Sequence, residues 1–343
     1  MTARPDTALA ERLQLAADAV DAPDVVFAWS ERGHRTIVIT GTAPAGGPRQ
    51  HLHYEIGSAS KTFLGLLLAD LAAAGVLDLD TPARDCLPSP PGRSCASAMI
   101  TLRHLISHTS GLPGVPRQPA FYRHVLSGGY SNPYADFTHQ RLLAAFHRHG
   151  NRARPGTSWR YSNFATAVLA HALERVTGTA YADLLTRRIL RPMQLRQTRL
   201  APGPPGTDAQ GHRRNGITPA PPIRLGAVAP TGAVRATPAD LLTYLEAHLT
   251  PEASPLCEAL QLVRTSYPVP GPRRAPARSL TWFLDRTDRS PVYFHGGSTF
   301  GQTAYLGFRP AGQVALAALA TRHHDRRNTL INTAHALLTS TAA

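Results

Sequence analysis

Strand-forming sequence lies at the two ends of this chain and is missing from its middle. Near the start, DVVFAWS (24–30) and RTIVITG (35–41) read as strands, and the intervening Glu-Arg-Gly-His, with Gly33, reads as a hairpin turn. HLHYEI (51–56) alternates and predicts a third strand, broken by Gly57. Strand patterns return at 279–285, 291–295, 303–308 and 313–320. Between them, residues 81–230 are rich in Pro, Gly, His and Arg, with helical periodicity at 102–107, 141–149, 163–177 and 181–190. Residues 201–222 read as the loosest part of the chain. Strands so far apart must pair across the intervening segment. The expected fold is α/β (α+β): an antiparallel sheet built from both chain ends, flanked by helices at 8–20, 58–74, 238–249 and 326–338, with an inserted, mostly helical lobe. Residues 1–80 and 231–343 would form the sheet domain, and 81–230 the helical insertion.

With 343 residues, 43% of them apolar, the chain can bury a sizeable core, which excludes global disorder. No apolar run approaches the ~18 residues of a membrane helix. The N-terminus has no apolar signal region, and Cys86, Cys95 and Cys257 form neither a disulfide framework nor a metal pattern. Both features lead us to expect a cytoplasmic protein. The net charge of +14 raises nucleic-acid binding, but the arginines are scattered as pairs (Arg187-Arg188, Arg213-Arg214, Arg273-Arg274, Arg326-Arg327) and no nucleic-acid motif accompanies them. Neither nucleic acid nor membrane is an expected partner; the charge suits an anionic substrate or an acidic carrier protein. His104 and His108 stand four apart, yet no glutamate follows His104 as a zinc helix would require, so no metal and no cofactor are expected.

Lys61 is the only lysine among 36 Lys and Arg residues. Arginine cannot be deprotonated in a protein, whereas a buried lysine can be, so a position that kept lysine is a candidate for a neutral amine. Its neighbours support chemistry. Gly57-Ser58-Ala59-Ser60-Lys61 is S-x-x-K at the start of an apolar helix, where i and i+3 share a face. Burial and the helix N-terminus lower the lysine pKa, a neutral amine can take the Ser58 proton, and the helix start offers an N–H to an oxyanion. The bland alternative makes Ser58 a helix cap and Lys61 a surface cation. Tyr161-Ser162-Asn163 precedes another apolar helix; Tyr161 could shuttle a proton, and Asn163 could bond a substrate amide and hold the lysine. The alternative is a loop tyrosine followed by a helix-starting Asn. Phe294-His295-Gly296-Gly297-Ser298 ends a strand; its glycines allow close backbone approach, Ser298 N–H could be a second oxyanion donor, and His295 could orient substrate. A plain Gly-Gly turn is the alternative.

With S-x-x-K at Ser58–Lys61, Y-x-N at Tyr161–Asn163 and H-x-G at His295–Gly297 in this order, the chain resembles the serine β-lactamase and penicillin-binding-protein superfamily, in its class C-like branch of esterases, transacylases and D-aminopeptidases. The resemblance runs from about Asp24 to Ala336. It implies Ser58 as nucleophile, Lys61 as its activating neighbour, Tyr161 as general base and acid, and the N–H groups of Ser58 and Ser298 as oxyanion hole. Asn163, His295, Gly296 and Gly297 would contact substrate. His295 stands where true β-lactamases of the K-T-G type have lysine, a variant that the resemblance associates with esterases and transacylases. The expectation is therefore a serine acyl-enzyme hydrolase or transacylase, passing an acyl group from a small-molecule ester, thioester or amide to water, an amine or an alcohol. Natural-product tailoring is the expected context. The alternatives are a β-lactamase or D-Ala-D-Ala-type peptidase, and a catalytically silent protein that binds an acyl ligand or partner. Pocket specificity is expected in the loops at 114–137 and 201–225.

Overall fold

A computed structural model describes residues 7–41, 47–88, 99–116, 132, 134, 137–148, 154–267, 277–286, 290–326 and 328–340. Most of loop 114–137, Cys95, Arg273-Arg274 and Arg327 lie outside them.

Helix α1 (Thr7–Asp18) precedes the hairpin β1 (Asp24–Glu31) and β2 (His34–Gly41). At the other end of the chain follow β6 (Ala277–Arg278), β7 (Phe283–Arg286), β8 (Pro291–Ser298), β9 (Thr303–Arg309) and β10 (Val314–Ala320). They form one sheet in the order β2-β1-β10-β9-β8-β7-β6, and every pairing is antiparallel. The chain ends meet where β1 pairs with β10, from Val25 opposite Ala320 to Glu31 opposite Val314.

Period 2 explains how this seam serves two cores. Val25, Phe27 and Trp29 join one apolar cluster with α1 and the C-terminal helix α9 (Leu330–Ser340), whereas Val26 and Ala28 join the larger cluster on the other face. β10 divides the same way, which is why VALAALA carries no polar residue: it is buried on both faces. Each fully buried side chain such as Leu316 contributes ~1.5–3 kcal/mol. A part-exposed ion pair such as Arg35–Glu246 contributes about 1 kcal/mol at most, so apolar burial closes the sheet.

Helix α2 (Ser60–Ala73) crosses the larger core; all of its residues but Asp70, Ala72 and Ala73 are buried, and Ala72 still packs against the core. Apolar on all sides, it is a core helix. Gly65 lets it approach the β6–β7 connection, since a Cβ there would lie 2.3 Å from Thr281 Cγ2. The segment between the strands carries α3 (Leu102–Ile106), α4 (His139–Arg148), α5 (Asn163–Thr177) and α6 (Tyr181–Leu185), and α7 (Pro238–Leu249) and α8 (Cys257–Arg264) follow it.

Several expectations are corrected. Residues 51–56 do not extend the main sheet. Only β3 (Tyr54–Glu55) is strand, in a small sheet with β5 (Arg235–Ala236) and β4 (Thr198–Arg199). Arg235 explains that placement: its buried guanidinium donates to Glu55 Oε1 at 2.6 Å and to the Ile223 carbonyl at 2.9 Å. Residues 279–285 are not one strand; the Ser279 N–H donates to the Trp282 carbonyl, turning β6 into β7. The last helix starts at Leu330, whose N–H is capped by Asn328 Oδ1. At 181–190, α6 passes into a wider π turn over Thr186–Leu190. Residues 201–222 are tied down rather than loose: Ala209 N–H donates to the His53 carbonyl, and His212 N–H to those of Gly301 and Thr321. Helix α8 was not anticipated. Among the described residues, no helix is long and apolar enough to cross a membrane.

Candidate active site

The chain leaves β3 through Ile56 into a single 3-10 turn, Gly57–Ala59, that carries Ser58 and opens α2. Gly57 has φ +50°, and a Cβ there would lie 2.6 Å from both the N and the O of Ser298. A Cβ on Gly297 would lie 1.9 Å from the Ile56 carbonyl oxygen. Two glycines thus let the end of β8 press against the serine turn, bringing the Ser298 backbone alongside Ser58.

In the first turn of α2, Lys61 is 1% exposed. Its Nζ lies 3.2 Å from Ser58 Oγ and 2.8 Å from the Thr231 carbonyl, and 5.0 Å from the centre of the Tyr161 ring. Burial pushes its pKa down to about 7, because a charged ammonium is costly out of water. The surface-cation alternative is excluded. Asn163, expected to hold the lysine, is not among these hydrogen-bond partners; the Thr231 carbonyl fills that position.

Tyr161 is fixed by the start of α5. Ser162 caps that helix, its Oγ accepting from Ala165 N–H at 2.9 Å and donating to the Pro113 carbonyl at 2.6 Å. The Tyr161 Oη is buried with no partner at hydrogen-bond geometry. Burial raises its pKa, and the neighbouring Ser58 hydroxyl draws it only partway back, so the phenol stays protonated at neutral pH. Asn163 lies beside the Tyr134 hydroxyl, with its own Oδ1 buried and without a partner.

On β8, alternation splits the H-x-G motif. His295 is buried on the side of Lys61, and Gly297 meets the serine turn. Gly296 faces the opposite way: a Cβ there would lie 3.1 Å from Ile331 Cδ1 of α9. The Gly296 carbonyl accepts from His295 Nδ1–H at 2.6 Å, leaving Nε2 with a lone pair. Burial, with the nearby Lys61 charge, pushes the His295 pKa down to about 3.

Sequence reasoning missed two residues here. His108, read as part of a structural turn, packs its ring on Tyr161 at 4.4 Å. Its backbone has φ +61°, and its Nδ1 accepts from Ser162 N–H at 3.2 Å, which places the ring proton on Nε2. Burial, then the charges of Lys61, His295 and Arg278, hold it neutral. His104 is separate from it: its Nδ1 accepts from Thr101 N–H, completing the cap of α3. Arg278 on β6 stacks its guanidinium 3.5 Å from the Trp159 ring centre and 5.1 Å from that of Phe283. It lines a small pocket with His108, Trp159, Thr281, Phe283 and His295. Burial lowers its pKa to about 10, so it remains a cation at neutral pH. No local pattern marks either residue, since both positions follow from turns. A larger cavity of about 310 Å³, lined by Glu55, Pro202, Asp208 and Gln302 among others, contains none of these catalytic candidates.

This arrangement can form an acyl-enzyme: a hydroxyl beside a buried amine near neutrality, a protonated phenol, and backbone amides at the serine turn. The family described as Beta-lactamase matches residues 14–340. The chain is 28% identical over 294 residues to penicillin-binding protein 4 of Amycolatopsis lactamdurans, covering 78% of this chain and 71% of that one. It is 25% identical over 340 residues to the D-alanyl-D-alanine-carboxypeptidase/endopeptidase AmpH of Escherichia coli (strain K12), covering 90% and 85%. Among solved structures, a D-stereospecific amidohydrolase from Streptomyces sp. superposes with TM-score 0.78 at 25% identity, covering 99% and 100%. A class C beta-lactamase superposes with TM-score 0.82 at 19% identity, covering 100% and 99%, a likeness of fold.

Proposed function

The chain belongs to the beta-lactamase family of serine hydrolases, and on that premise we propose that it cleaves small esters or amides through an acyl-enzyme on Ser58. Neutral Lys61 accepts the Ser58 proton as Oγ attacks the substrate carbonyl. The N–H groups of Ser58 and Ser298 hold the resulting oxyanion, a contribution typically worth 10²–10³-fold in rate per donor. Tyr161 gives its proton to the leaving group and regains one from the Lys61 ammonium. Water then attacks the acyl ester by the reverse relay and restores Ser58. The observation that carries this reading is the 3.2 Å contact between Ser58 Oγ and a buried amine whose pKa is about 7. It favours Lys61 over Tyr161 as the first base, because burial raises the pKa of the phenol and keeps it protonated.

Acyl transfer to an amine or alcohol uses the same intermediate. A role in natural-product tailoring would show as amide formation from an added amine in preference to hydrolysis.

His295 is neutral, so it gives the pocket no charge with which to hold a substrate carboxylate; this favours uncharged donors. A second reading, cleavage of carboxylate-bearing β-lactams or D-peptides, is favoured by one observation: Arg278 brings a cation to the pocket shared with His295. A panel of p-nitrophenyl esters, a D-amino-acid amide and a chromogenic β-lactam, run on wild type and Arg278→Ala, tests both. The first reading predicts ester turnover unaffected by the substitution. The second predicts turnover of the carboxylate-bearing substrate, with KM raised about tenfold or more in the variant. Turnover of no member of the panel would refute both.

A further inference from the structure

Three potential metal ligands converge on the helical face formed by α4 and α5. His139 opens α4, and His171 and Glu174 stand three apart on α5. Glu174 Oε2 lies 3.1 Å from His171 Nδ1 and 3.8 Å from His139 Nε2, and the three ligand atoms lie within 4.8 Å of one another. The two imidazole rings are 4.6 Å apart and inclined by 33°. From this convergence we propose that His139, His171 and Glu174 form a binding site for a divalent transition-metal ion of the zinc type, joining α4 to α5.

The donor chemistry suits such an ion, for which two imidazole nitrogens and one carboxylate oxygen are ordinary ligands. Bonds of ~2.0–2.2 Å in a tetrahedron place ligand atoms about 3.3–3.6 Å apart. The His171–Glu174 spacing is already near that distance, and modest closure of His139 completes the triangle. A hydrogen bond explains the first pair but not the second, which at 3.8 Å is too long for one. Glu174 is also held for the task. Its Oε1 accepts from Tyr181 N–H at 2.8 Å, which orients the carboxylate from behind, as outer partners of metal ligands do. The His139 side chain is half exposed, so an ion can enter from solvent, with water in the fourth position. Helix α4 follows directly on residues 114–137, where the sequence places pocket-shaping loops.

The test uses the full chain without a histidine tag, stripped by chelator and titrated calorimetrically with zinc chloride. Cobalt(II) absorption serves as a spectroscopic reporter of coordination. The expected result is one zinc per wild-type chain and the visible bands of tetrahedral cobalt. Affinity should fall at least tenfold in both His139→Ala and Glu174→Gln, and zinc should raise the thermal midpoint of the wild type only. His139 is half exposed and Gln keeps the shape of Glu174, so both variants should fold, which circular dichroism verifies. Absence of stoichiometric binding, or binding unchanged in both variants, would overturn the proposal.

Discussion

Titrating Lys61 should control acylation. Its pKa falls from the ordinary 10.5 to about 7 because burial penalises the ammonium. At pH 7 the neutral fraction of an exposed lysine is roughly one in 3,000, whereas here it is about one half, a gain of roughly 10³ in available base. The rate of Ser58 acylation by p-nitrophenyl acetate, read as the burst in stopped flow, should climb about tenfold per pH unit below 7 and level off above it. The assignment is clean because the neighbours do not titrate in this window: His295 and His108 are held neutral, and Tyr161 is held protonated. Lys61→Arg should abolish the burst, since arginine stays charged. The same shift acts on stability with a definite sign. Between about pH 7 and 10.5 the unfolded chain binds more protons at this residue, so stability rises with pH across that interval, and below it the full penalty, roughly 4–5 kcal/mol, applies. Lys61→Met should therefore be inactive yet more stable at pH 7, by ~1–4 kcal/mol in urea unfolding. A flat pH profile, an inflection near the ordinary lysine value, or an active Lys61→Arg enzyme would refute the reasoning.

Tyr161→Phe should lower turnover 10²–10⁴-fold, the usual worth of a positioned proton donor, with little change in thermal midpoint, because the Oη makes no hydrogen bond in the resting site. Gly297→Ala drives a methyl to within 1.9 Å of the Ile56 carbonyl oxygen; it should push β8 off the serine turn, cost about 1–3 kcal/mol in denaturant unfolding and suppress acylation. Glu55→Ala strands the buried Arg235 guanidinium, so it should cost ~3–5 kcal/mol, whereas a double change of both residues to apolar ones should recover much of that loss.

The sequence revealed contacts with a local rule behind them. Ser58 and Lys61 are three apart at a helix start, and a chain that uses arginine everywhere else points at its one lysine. Tyr161 was legible from its place just before an apolar helix. The β1–β10 seam was legible because strand patterns at the two ends had no partners between them. Contacts set by turns were not. His108 reaches Tyr161 through a backbone at φ +61°, and Arg278 enters the pocket because the chain reverses at Ser279. The motif stays strand to its end, and its alternation turns Gly296 toward α9 while Gly297 meets the serine turn, a split that the bare H-x-G pattern does not display. Residues 51–56 misled for another reason: their apolar positions are buried, but Glu55 is drawn to Arg235 in the smaller sheet.

The central claim is that Ser58 carries the acyl group, and intact-protein mass spectrometry tests it most directly. Wild type and Ser58→Ala are each incubated with a fluorophosphonate and, separately, with a β-lactam. The account predicts one fluorophosphonate adduct per wild-type chain and none on the variant, with the persistence of any β-lactam adduct ranking the two substrate readings. An adduct of equal extent on Ser58→Ala, or no adduct on folded wild type from either probe, would contradict it.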